Sequence, residues 1–166
     1  MEYTKTYNEL KSIFTSDKKN ISIPDSDIEI NNLDFISDMP FSEFSNQHDS
    51  LIVENKSFSY PVFAPCNKES NKVILLLHGL NERSWVKYLV WAYYLAQNTG
   101  SYVILFPISF HINRCPSSWK DPRAMVNFMK NRNSSLRYGS GTTGDPLMPI
   151  LRLLKCCYYD LLIGKK

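Results

Sequence analysis

What this 166-residue sequence lacks narrows its class before any motif is considered. No stretch reaches the roughly 18 uninterrupted apolar residues of a membrane-spanning helix. The opening run from Met1 to Leu10 holds no apolar h-region, so no secretory signal is visible. An excess of one charge sign is missing too: 19 Lys and Arg face 16 Asp and Glu, scattered to a net charge of +3. Without a basic stripe or an acidic block, neither a nucleic-acid partner nor a solvating tail is expected. The four cysteines, Cys66, Cys115, Cys156 and Cys157, match no zinc spacing and read as free thiols of a reducing compartment. The N-x-S triplets at Asn20, Asn55 and Asn133 then carry no sugar, and the cytoplasm is the expected location.

What is present is an ordinary globular composition, 43% hydrophobic and 13% aromatic, in a chain long enough for one domain with a core. Residues 1–50 are polar and read as an irregular N-terminal extension. Within it, Tyr3, Tyr7, Leu10, Ile13 and Phe14 recur at helical spacing, and Ile21 to Ile23 and Ile28 to Ile30 alternate like short strands. Met39, Phe41 and Phe44 suggest a loosely packed segment.

Residues 51–132 carry the strongest pattern. Phe58 to Phe63 alternates as a strand does and stops at Pro65. The continuous apolar run Lys72 to Leu77 suits a strand buried on both faces, as in a parallel sheet covered by helices. Trp85, Tyr88, Leu89, Ala92, Leu95 and Ala96 then fall on one helix face, with Gly100 as a C-terminal stop. Tyr102 to Pro107 is a second buried-strand run. Strand, helix, strand predicts a βαβ unit, and the expected fold is α/β with a mostly parallel sheet and flanking helices. A further helix is expected to open with Asp121 as N-cap and Pro122 at its first position. Residues 133–166 form a poorly specified tail, turn-rich at first and then apolar on nearly every side from Pro149 to Ile163.

A buried strand ending in His78-Gly79, followed by a loop and a helix, resembles the α/β-hydrolase superfamily. With Phe106 to Arg114 and Trp119 to Arg123, the stretch from about residue 55 to 132 is similar to an uncharacterised bacterial branch of it. The resemblance implies hydrolysis of an ester, thioester or amide through an acyl-enzyme, with no metal or organic cofactor. It also implies that His78, Gly79, Leu80 and Asn81 form an oxyanion-type loop, the amides of Leu80 and Asn81 being the candidate donors. Acyl transfer places negative charge on a carbonyl oxygen, and each preorganised donor lowers the barrier by about 3 kcal/mol. His111, Asn113 and Arg114, just past a strand end, would bind substrate.

The rest of that machinery is missing from these 166 residues. The superfamily's nucleophile sits on a G-x-S-x-G elbow, followed by an acid and a late His, and no G-x-S-x-G occurs here. Gly139, Gly141 and Gly144 match G-x-G-x-x-G, but polar residues precede them, so they read as a loop rather than a dinucleotide fingerprint. The superfamily's third strand is flanked by its fourth and fifth. Lacking a fifth, Lys72 to Leu77 would leave an apolar edge open to self-association. The chain is therefore expected to be an inactive fragment of a serine-type hydrolase, truncated or frameshifted before the nucleophile. The alternative is a non-catalytic α/β module that binds a ligand or a partner.

Overall fold

The computed structural model describes residues 2–36, 52–67, 69–79, 82–108 and 110–120. They divide between two compact units. The first comprises residues 1–35 and 59–107, the second residues 36–58 and 108–166.

The first unit opens with α1 (Glu2–Ile13), whose acidic first turn and basic last turn complement the helix dipole. The expected helical spacing is realised: Leu10 is buried, and Tyr3 stacks on Tyr94 with ring centroids 6.4 Å apart. β1 (Asn20–Ser22) and β2 (Ile28–Ile36) pair antiparallel with Ile21 opposite Ile30, burying Ile21, Ile28 and Ile30. A short turn joins them, with Asp25 in the left-handed region at φ 51°. The buried Asn32 ties this hairpin to the end of α1 by donating to the carbonyls of Thr15 and Lys18 at 2.9 and 2.6 Å. Residues 2–36 thus contain the helix and the two strands that their spacing predicts.

β3 (Ser57–Pro65), β4 (Val73–Leu77), α3 (Val86–Thr99) and β5 (Tyr102–Phe106) complete the sheet, in the order β1-β2-β3-β5-β4. A four-residue helix, α2 (Val53–Lys56), precedes β3. β4 and β5 are parallel, in register from Val73 opposite Tyr102 to Leu77 opposite Phe106, so the βαβ unit read from the sequence is present. Gly100 ends α3 with φ 61° and returns its N–H to the Ala96 carbonyl at 2.8 Å. Leu89, Val90, Ala92 and Ala96 of α3, with Val103 and Leu105 of β5, are wholly buried.

Two expectations are corrected. The fold is mixed α/β, but the sheet is mostly antiparallel: β1–β2 and β3–β5 run antiparallel, and only β4–β5 is parallel among the pairs of defined register. The parallel arrangement needs a long crossover, which α3 provides, whereas the short β1–β2 turn enforces antiparallel pairing. Nor is β4 buried on both faces. It lies at one end of the strand order, and Val73, Leu75 and Leu77 are 60%, 40% and 38% exposed. A continuous apolar run is compatible with an edge as well as a centre, and local sequence does not distinguish them. No helix among the described residues is long and apolar enough to cross a membrane.

Candidate functional site

The turn after β4 is held by the first turns of α3. His78 is buried, and its Nδ1 lies 2.8 Å from the Gly79 carbonyl oxygen. A carbonyl only accepts, so Nδ1 carries the proton and donates. The imidazole meets the edge of Trp85 at a centroid separation of 5.4 Å. Gly79 donates its own N–H to the Tyr88 hydroxyl at 2.7 Å. Tyr88 is itself buried and lies near Glu82, whose carboxylate is ion-paired with Lys87. Lys87 Nζ lies 5.0 Å from the Tyr88 ring centroid, a cation–π distance.

This network has an electrostatic signature. The Lys87 ammonium, hydrogen-bonded to Glu82, holds that carboxyl below the usual range, with Tyr88 and the nearby His78 contributing in the same direction. Reciprocally, Glu82 raises Lys87 above the usual ammonium value. A Cβ at Gly79 would sit 3.4 Å from the Tyr88 hydroxyl, at the edge of ordinary van der Waals contact. Because the Gly79 amide is engaged by Tyr88, oxyanion donors would have to come from the next amides. Leu80 and Asn81 lie outside the described residues.

His111, Asn113 and Arg114 belong to the second unit. Their loop is built from tight turns: His111 N–H donates to the Ile108 carbonyl at 3.1 Å, and Arg114 N–H to the His111 carbonyl at 2.8 Å. Phe110 and Ile112, on either side of His111, have φ of 66° and 52°. A left-handed β-branched residue is an outlier, and such residues cost of order 1–3 kcal/mol each. His111 and Asn113 are half-buried, but Arg114 is 1% exposed. Its guanidinium donates to Asn55 Oδ1 at 3.1 Å and to the Asn55 carbonyl at 3.3 Å, and it lies 4.3 Å from the Phe58 ring centroid. Arg114 therefore anchors its loop to α2 and the start of β3 rather than presenting a cation to solvent.

Sequence reading missed two of these residues. Tyr88 was seen only as an α3 packing residue, and Asn55 only as part of an N-x-S triplet. A hydroxyl in the first turn of a helix, directly after a His-Gly turn, is the one local signal that pointed to Tyr88. Asn55 acts on a residue 59 positions away and gave none.

A cleft in the first unit lies elsewhere. It has a volume of about 570 Å³ and is lined by Asp25, Ser26, Asp27, Asn67, Gln97 and Gly100 among others, at the C-terminal end of α3. The His78–Gly79 turn is at the other end of that helix. Among the described residues no group of three or more His, Cys, Asp or Glu side chains is placed to hold a metal ion.

Fold and turn together define a mixed α/β protein with one parallel βαβ crossover and a clamped His-Gly turn at its strand end. The chain belongs to a family of unknown function, DUF6051, whose model matches residues 41–142, more than half of the sequence. No curated protein and no solved structure matches it.

Proposed function

We propose that this chain is the N-terminal part of a serine-type α/β hydrolase that cleaves an ester, thioester or amide in its intact form. On this reading the 166 residues carry the oxyanion-type loop but not the nucleophile, and are inactive alone. The observation that carries it is the surroundings of β4. The strand ends in His78-Gly79, has the next strand, β5, parallel on one side, and pairs with no other strand among the described residues. The superfamily's third strand would meet its fifth on that second side.

The roles follow from the chemistry. His78 and Tyr88 fix the turn, Leu80 and Asn81 supply N–H donors to the developing oxyanion, and water exclusion strengthens both contacts. In the second unit, Arg114 would hold the loop of His111 and Asn113 in place. On this reading the protein works in the cytoplasm, where a thiol such as that of Cys66 stays reduced.

Sequencing the locus beyond the codon for Lys166, in every frame from about codon 130, tests the reading. A buried strand leading into G-x-S-x-G, then an acid and a late His, is the expected result. Unrelated sequence after an authentic stop would overturn it in favour of a non-catalytic binding module.

A further inference from the structure

The clamp on the His78-Gly79 turn does not end at Tyr88. One turn further along α3, Trp91 meets the Tyr88 ring edge to face, with centroids 5.5 Å apart and planes at 84°. Tyr88 is buried, but Trp91 is 47% exposed, and its indole is held from outside the helix: Nε1 donates to the Tyr3 hydroxyl at 3.0 Å. Tyr3 in turn stacks on Tyr94, and Thr6 meets the Tyr94 hydroxyl at 3.2 Å. Three aromatic side chains therefore connect the first turn of α1 to the Gly79 amide, which donates to Tyr88 at 2.7 Å, all within the first unit. The two ends of α1 are secured differently. Leu10 is buried and the chain just beyond the helix is tied down by Asn32, whereas Glu2 to Lys5 are exposed. A helix end with few buried contacts opens at low free-energy cost while the rest of the fold stays closed.

We propose that the first turns of α1 act as a strap on the candidate oxyanion turn, with Tyr3 and Trp91 as positioning residues that reach Gly79 through Tyr88. The role of the turn rests on the hydrolase reading; the coupling itself is a property of the first unit. With the strap down, Tyr3 keeps the indole against Tyr88, and the phenol keeps its hydroxyl on the Gly79 N–H. With the strap lifted, the indole N–H turns to water, Trp91 regains its other rotamers, and Tyr88 loses the edge contact that fixes its ring. A pair of this geometry shifts such an equilibrium by about two- to tenfold. In the hydrolase, the aim of the donors that follow Gly79 along the chain would then depend on whether α1 is docked.

Amide hydrogen exchange of the whole 166-residue chain, followed by NMR, is the test. It is read at Gly79, with Gly100 as the control, because the Gly100 amide is bonded to Ala96 at the other end of α3. Tyr3→Ala should speed exchange at Gly79 about two- to tenfold and leave Gly100 unchanged. In a Tyr88→Phe chain, whose Gly79 amide has already lost its acceptor, adding Tyr3→Ala should change Gly79 no further. Should Tyr3→Ala lose its far-UV circular dichroism, Tyr3→Phe keeps the ring on Tyr94, removes the hydroxyl that holds Trp91, and is judged by the same criteria. An unchanged Gly79 rate overturns the proposal. So does equal acceleration at Gly79 and Gly100, which would mark a general loosening of α3, and so does an equal effect with and without the Tyr88 hydroxyl. None of these outcomes bears on the hydrolase reading, which the sequence beyond Lys166 decides separately.

Discussion

Tyr88 does more at the scale of a single residue than its place on a helix face suggests. Its hydroxyl accepts the Gly79 N–H, so one phenol couples the end of β4 to the start of α3. We expect Tyr88→Phe to keep the packing against Trp85 and Trp91 while removing a buried acceptor. The expected loss is about 1–2 kcal/mol in urea unfolding, with faster hydrogen exchange at the Gly79 amide. The neighbouring ion pair makes a pH-dependent contribution whose sign is fixed. Glu82 titrates below its unfolded value, so its contribution is present above that value and fades as pH falls through the folded pKa. Lys87 titrates above its unfolded value, so its share is complete below that value and fades as pH rises through the folded pKa. The pair is fully effective between about pH 5 and pH 9. Lys87→Ala should move the Glu82 titration, followed by carboxyl NMR shifts, up toward that of an ordinary glutamate. Lys87 is half exposed and Glu82 partly so, and the effect on stability is small.

Among the elements, α3 is the one whose sequence and structure agree most closely. Tyr88, Leu89, Ala92 and Ala96 fall on one face and are buried, and Gly100 ends the helix in the left-handed region. A Cβ at Gly100 would meet nothing within 4 Å, so Gly100→Ala isolates the backbone cost of that conformation. We expect a loss of about 1–2 kcal/mol, read as a shift in urea midpoint without a change in slope. The same local signals made α1, β3 and β5 legible, because period and punctuation are properties of neighbouring residues. β4 was read as central because five apolar residues in a row say nothing about how many strands flank them. The antiparallel majority of the sheet escaped for a related reason. It depends on where β2 and β3 lie relative to β5, a matter of pairing between distant segments. At the candidate site, the His78-Gly79 turn was visible as a strand end. Its clamp by Tyr88 and the Arg114–Asn55 anchor were not, since each is a contact between residues chosen by the fold. The helix expected from Asp121 and the glycine-rich run at Gly139 to Gly144 lie outside the described residues.

For the molecule as a whole, the proposed reading predicts a negative. The 166-residue chain should hydrolyse p-nitrophenyl acetate no faster than free imidazole at equal concentration, since it contains no nucleophile elbow. Turnover abolished by replacing a single Ser or Cys would show that a nucleophile had been overlooked. The first unit also has an unusual bearing on how the chain is made. Thr6 meets Tyr94 at 3.2 Å and Trp91 Nε1 donates to the Tyr3 hydroxyl at 3.0 Å, each across 88 residues, and the unit's two stretches are separated by residues 36–58. On the ribosome the first helix therefore emerges well before the surface it packs on, and waits without its partner until α3 has cleared the exit tunnel. During that interval Leu10 and the α1 tyrosines are exposed to whatever else is nearby. A helix made 88 residues ahead of the side chains it meets is among the last segments to be protected.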